Sequence, residues 1–576
     1  MALPDVEDLL LGFCMRRPSD RIMDPSCGQG TFLDRVSRWK RYLSSRPSDL
    51  SPDGLWGVDA DPDLVDAARI AVPQAHVVAQ NFFTLDPDQT GLFDAIVGNP
   101  PQVTAERFGR LNREAGRQLE LGLKTASRED HQVKRERLLP RDLWGQLDGR
   151  SGLYAYYFLH SARFLRESGR IGFVVPSGWL DAAHGQKLKA FLIDQFRIIA
   201  LVESEVERFF DAGKEKRCLL VLEKCSGPMR RANNMARLIR LKQPLSQLIP
   251  GGSNDRQRPA FLEQLVTRLL PGQSRQTDAY EVRVVPQNEL GAASKWRLAL
   301  RAPEVYRERV SRGGLSPIQS WATIRRGFTT GANTFFYLSE ADIRKWGIEA
   351  EFRRPVLKSM RGLDRLQLDP DTCRHQLLLI PPTADLKGSG AAEYIAWGES
   401  QGYHLRRTCA ERHLWYSLTE HEQAQLVLPK GIWRRHFVSA LADDMLIDQQ
   451  LYGITLSDGI SPLAAAALLN SSWFALQCEL NGRVNFADGV LWLAAYEIGQ
   501  IQLPDLRRLP ADRIGRLADH FTELAKRPIE NIEIQLAQPA QQALDTAVFD
   551  LLDLSLSERD SVLDGLRKRV ESRLPG

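Results

Sequence analysis

The chain has 576 residues, 43% hydrophobic and 26% charged, a length that predicts two or three domains and excludes a peptide-sized or low-complexity protein. A net charge of +4 leaves any nucleic-acid surface to local arginine clusters. Seven cysteines without a C-x-x-C pair exclude a zinc ribbon and a disulfide framework, and with no basic leader and no apolar run of membrane length they predict a soluble, cytoplasmic protein that holds no metal.

In chain order, Leu3 to Met15 reads as an amphipathic helix opened by Pro4. Arg21 to Leu33, R-I-M-D-P-S-C-G-Q-G-T-F-L, reads as a short strand, a glycine turn and a helix start. Gly28 and Gly30 let backbone approach a ligand closely, and the helix start offers free N–H groups. One βαβ unit later, Leu55 to Asp59 is a second strand that ends in a carboxylate suited to a ribose diol. Val77 to Phe83 gives a third strand edge, where Asn81 could meet an adenine edge and Phe82 its face.

Phe93 to Gln102 is the most informative stretch. An apolar strand runs to Gly98 and is stopped by Asn99-Pro100-Pro101, because proline has no N–H and pushes the preceding residue out of helix. The Asn99 amide oxygen and the Pro100 carbonyl are two neutral acceptors at a strand tip. Such a pair suits an exocyclic amine, whose nitrogen must give up its conjugation to attack an electrophile. N-P and P-P dipeptides also mark ordinary turns, so the reading rests on the elements upstream.

The mixed charges of 107–150 read as a solvated face or a loop that touches phosphates. Regular structure resumes in the aromatic helix start Ser151 to Phe158 and the strand Gly169 to Trp179, followed by a helix Gly185 to Phe196 and strands Ile198 to Val202 and Arg217 to Glu223. The whole is an alternating α/β pattern. Residues 1–228 form the expected first domain and 229–300 a connecting segment. In the second domain, 301–508, Arg325, Arg326, Thr330, Lys358, Arg361, Lys430, Trp433, Arg434 and Arg435, with His436, stand in loops between short strands. As a set they are the expected DNA contacts. Residues 509–576 read as helical, with Arg559 to Arg573 exposed or docking.

The order of these elements resembles the class I S-adenosylmethionine-dependent methyltransferases, and the N-P-P tip resembles the gamma class of adenine-N6 DNA methyltransferases. The resemblance implies a Rossmann-like domain with a mixed seven-stranded sheet, a mixed α/β target-recognition domain, S-adenosylmethionine as cofactor and double-stranded DNA as substrate. It assigns Asp24, Cys27, Gly28, Gly30 and Phe32 to the cofactor loop, Asp59 to the ribose, and Asn81, Phe82 and Tyr157 to the adenine. Pro4 falls on the helix that closes over the cofactor. Asn99, Pro100 and Pro101 match the catalytic motif, and Phe210 matches a base-stacking aromatic. Gln102 departs from the class, which has an aromatic there; base–aromatic stacking is worth roughly 1–3 kcal/mol. Cytosine-N4, an RNA base, a protein glutamine, and a recognition subunit without turnover remain alternatives. The start of the glycine motif near residue 1 implies that any restriction endonuclease partner is a separate chain.

Overall fold

A computed structural model describes residues 4–44, 54–102, 139, 143, 145–207, 209, 216–251, 257–419, 422–484 and 489–574. The chain divides into two units, Met1–Leu300 and Arg301–Gly576.

The first unit is built on β1 (Ile22–Asp24), β2 (Leu55–Asp59), β3 (His76–Ala79), β4 (Phe93–Gly98), β5 (Leu165–Pro176), β6 (Phe196–Ser204), β7 (Arg217–Lys224), β8 (Met235–Leu241), β9 (Arg275–Gln276) and β10 (Tyr280–Pro286). They form one sheet in the order β3-β2-β1-β4-β5-β7-β6-β8-β10-β9. The first five strands in that order pair in parallel, while β7 runs antiparallel to both β5 and β6. Successive residues serve opposite faces, as a strand requires: Leu220 and Leu222 join one buried cluster, Leu219 and Val221 the other. One face is covered by α1 (Pro4–Cys14) and α2 (Thr31–Leu43), the other by the helix Leu153–Phe164. A sheet covered on both faces explains why its strands read as apolar runs.

The sheet has ten strands where seven were expected. The segment 229–300, read as a connection, supplies β8, β9 and β10, with β8 pairing in parallel with β6. Its two longer strands, β8 and β10, are separated by a stretch punctuated by Pro244, Pro250, Gly251, Pro271 and Gly272, which disguises them as linker.

The second unit contains a five-stranded sheet and smaller sheets of four, three and two strands among its described residues. The apolar helices Pro462–Leu469 and Ser472–Asn481 pack against the later helices Ala511–Ala525, Pro539–Leu551 and Leu556–Arg573. The last helix buries Val562, Leu566 and Val570. At its end, Arg573 grips both oxygens of Glu479 at 2.8–3.0 Å, and Glu479 also takes His436 Nε2 at 2.7 Å. Among the described residues no helix is long and apolar enough to cross a membrane.

Candidate active site

Strands β1, β2 and β4 run parallel, with Asp24 beside Gly57 and Met23 beside Ile96, so Asp24, Asp59 and Asn99 emerge at one edge of the sheet. The strand order reverses between β1 and β4, and in such sheets that crevice is where ligands bind. Here it is a cleft of about 220 Å³ lined by Asp24, Ser26, Cys27, Gly28, Gln29 and Thr31, with Glu7, Phe32, Leu64 and Asn99.

Two glycines shape it. Gly28 has φ 53, a left-handed conformation, and a Cβ built on it meets nothing within 4 Å, so a side chain there would project into open space at the cleft. Its N–H donates to Asp59 Oδ2 at 2.9 Å, tying the tip of β2 to the turn. Gly98 is needed for contact: a Cβ would stand 2.6 Å from Asp24 Oδ1. Glycine at the end of β4 is therefore what lets the Asp24 carboxyl lie against the strand that carries Asn99. Gly30 caps α2 with φ 85.

Asp24 is 2% exposed and accepts from the Ser26 N–H at 3.0 Å. Burial, reinforced by Asp59 and Glu7, pushes its carboxyl up to about 8 despite that hydrogen bond. Burial likewise carries Glu7 to about 7 against the pull of Arg35, and raises Asp59. The Cys27 thiol is pushed well above its ordinary range by burial and by Asp24 and Asp59, so it is no nucleophile at neutral pH.

Asn99 is half-buried, and its backbone carbonyl accepts from Ser26 Oγ at 3.2 Å. Its Oδ1 takes a long contact, 3.4 Å, from Gln102 Nε2, while Gln102 Oε1 is buried with no hydrogen-bond partner. Pro100 is buried and Pro101 half-buried beside it. Asn99 thus lines the cleft with its amide oxygen in contact with the neighbouring Gln102 amide.

Other expected site residues stand elsewhere. Pro4 is exposed at the start of α1 and does not line the cleft; Glu7, one turn later, does. Phe82 is 2% exposed and packed among Tyr157, stacked at 5.4 Å, and Phe164 and His160. Phe82 and Tyr157 therefore serve the core, and neither presents a face to a nucleobase. Asn81 Oδ1 caps the turn Phe82–Thr84 by accepting from the Phe83 N–H at 3.0 Å, and its Nδ2 is buried without a partner. Phe210 lies outside the described residues.

In the second unit, Arg325, Arg326, Lys358, Arg361 and Trp433 are exposed, and Arg434 lies over the Trp433 ring at 5.1 Å. Thr330 is not a surface contact: it is fully buried, accepts from the Ala332 N–H and presents its carbonyl to Arg412. Arg435 and Lys430 are half-buried and bonded to the carbonyls of Leu363 and Gln449, which removes them from a phosphate-facing set. His436 is the buried partner of Glu479.

Sequence reasoning missed Glu7, Ser26, Gln29, Thr31 and Leu64. Ser26, Gln29 and Thr31 lie inside the quoted glycine motif, whereas Glu7 and Leu64 carry no local signal that distinguishes them from ordinary helix residues.

Comparison with known proteins bears on the family and the fold. The family described as Eco57I restriction-modification methylase matches residues 55–210, and the C-terminal domain family of Type II methyltransferase M.Eco57I matches residues 293–533. Type II methyltransferase M.XamI of Xanthomonas campestris pv. amaranthicola is 20% identical over 523 residues, 88% of this chain and 85% of that one. Type II methyltransferase M.AccI of Acinetobacter calcoaceticus is 21% identical over 346 residues, 59% of this chain and 55% of its own length, so this chain spans about half of that relative. Among solved structures, the Type IIL restriction-modification enzyme MmeI in complex with DNA aligns with a TM-score of 0.55 at 12% identity, over 99% of this chain and 75% of that one, a likeness of fold.

Proposed function

We propose that the chain, which resembles the Eco57I-like type II restriction-modification methyltransferases over residues 55–210 and 293–533, methylates the N6 amine of an adenine turned out of duplex DNA. The methylase family and the class I fold imply S-adenosylmethionine as cofactor. The residues of the cleft suit it: a glycine cradle, carboxylates matched to a cationic ligand, and Asp59 at the neighbouring strand tip.

The observation that carries this reading is that Asn99 and the glycine turn line the same cleft. Bound there, S-adenosylmethionine supplies an electrophilic methyl. Asn99 Oδ1 and the Pro100 carbonyl accept the two N–H bonds of the target amine and direct its lone pair outward. The donor would supply the methyl and keep the S–C electron pair on its sulfur, while Asn99 Oδ1 and the Pro100 carbonyl would hold the amine until the proton it gives up passes to water. The adenine must leave the helix because its amine is otherwise paired inside the duplex. Gln102 must yield Asn99 Oδ1 when the amine arrives.

Arg325, Arg326, Lys358, Arg361, Trp433 and Arg434 are the proposed DNA contacts. The biological partner of this reading is a restriction endonuclease of the same specificity, in the cytoplasm. Sequencing of modified bases in an unmodified host expressing the protein tests it. N6-methyladenine at one motif is expected, and roughly a hundredfold or greater loss in Asn99→Ala, with cofactor affinity retained. N4-methylcytosine, RNA methylation, or full activity in Asn99→Ala would overturn it.

A further inference from the structure

Glu7 enters the cleft from α1, outside the glycine turn and the strand tips. Its Oε1 accepts from Thr31 Oγ1 at 3.3 Å, and Oε2 faces Arg35 Nε at 3.1 Å. Arg35 is shared, because its Nη1 lies 2.7 Å from Asp8 Oδ2. The same Asp8 oxygen takes Arg258 Nε at 2.7 Å, and Arg258 is also paired with Asp5. Three carboxylates on α1 thus divide two guanidiniums, leaving one more acid than base in the group among the described residues. Across the cleft, Asp24 meets the Ser26 N–H and two further acids, Asp59 and Glu7.

Glu7 and Asp24 are 3% and 2% exposed, and a buried carboxylate without a cation is costly. Among the described lining residues there is no lysine or arginine to supply one. A cation bound in the cleft would balance these described carboxylates. On the cofactor reading above, the charge balance points to Glu7: we propose that its carboxylate binds the ammonium group at the amino-acid end of the methyl donor, with Asp24 facing it from the other wall.

Ligand binding is then coupled to protons. Burial holds the Glu7 and Asp24 carboxyls near 7 and 8, so both are partly protonated near neutral pH. Arg35 and Thr31 pull Glu7 down and Asp8 pushes it up, while Ser26 alone pulls on Asp24. An arriving ammonium favours the charged forms and releases protons.

Calorimetry on the full chain with three ligands tests this. S-adenosylmethionine carries an ammonium and a sulfonium, S-adenosylhomocysteine the ammonium alone, and 5′-methylthioadenosine neither. Glu7→Gln is expected to weaken the first two by roughly tenfold to a hundredfold and the third by less than about threefold. Wild-type protein, titrated near pH 7 in buffers of different ionisation enthalpy, is expected to release protons with the first two ligands and not with the third, a result that stands even if the variant fails to fold. Equal weakening of all three would make Glu7 a scaffold residue acting through Thr31 and Arg35, and weakening of S-adenosylmethionine alone would assign it to the sulfonium; either overturns the proposal. Wild-type protein that bound none of the three would overturn the cofactor reading itself.

Discussion

Replacing Arg573 with methionine should reveal how strongly the last helix is tied to the second unit. The Glu479 side chain is 2% exposed, and those of His436 and Arg573 are 4% and 5% exposed. Burial would raise the Glu479 carboxyl, but the His436 and Arg573 hydrogen bonds hold it below its ordinary range, so it is buried as a charge. Arg573 also donates to the Gly489 carbonyl at 2.7 Å and to that of Trp433. Arg573→Met leaves the carboxylate with His436 alone, and stripping one partner from a buried pair costs roughly 3–5 kcal/mol, a large share of the ~5–15 kcal/mol that holds a typical domain together. Guanidinium unfolding at pH 7.5 measures the loss. In Glu479→Gln/Arg573→Met no charge is stranded, and about 1–3 kcal/mol should return. A single variant within about 1 kcal/mol of wild type, or a double variant no better than the single, would refute the reasoning. Limited proteolysis should also show earlier cutting near Trp433 in Arg573→Met, because that segment loses its carbonyl anchor.

Asp24 binds its proton more tightly in the folded state than in the unfolded chain, so its contribution to stability is fully present below about pH 4 and drains away as pH rises toward 8. A rise from 3.8 to about 8 is worth on the order of 5 kcal/mol; Asp24→Asn keeps an acceptor for Ser26 and should flatten urea-unfolding midpoints between pH 5 and 8, whereas an unchanged slope would contradict the assignment. Gln102→Tyr should lower methyl transfer at least about tenfold, because the pocket is built around an amide against Asn99; a gain in incorporated methyl would show that glutamine merely replaces a lost stacking ring. A fragment ending at residue 228 should be insoluble because it strips β8 from β6, while residues 1–300 should give a cooperative far-ultraviolet melt.

The glycine turn and the Asn-Pro-Pro tip are readable in the sequence because their signal is carried by backbone chemistry. Gly28 takes a left-handed conformation, a Cβ at Gly98 would collide with Asp24, and two prolines can end a strand in few ways. Side-chain roles are harder. Phe82 and Tyr157 have the composition of a base-stacking pair and of a core pair alike, and only the fold shows their rings packed on one another. Thr330 and Arg435 sit in polar turns that resemble surface, yet one is fully buried and the other is bonded to a carbonyl. Glu7 is hidden for a related reason. The 3.6-residue periodicity of α1 identifies an apolar stripe but not which acid borders the cleft. The strands of 229–300 escape notice because their partners are supplied by the core sheet.

The acidic walls beside the glycine turn also bear on what the cleft keeps out. ATP has the same adenosine half as the methyl donor and abounds in cells. Its triphosphate would meet Glu7 and Asp24, with no lysine or arginine among the described lining residues to set against phosphates. To the extent that Glu7 and Asp24 are ionised, like-charge repulsion would disfavour the commonest adenosine compound without a steric gate.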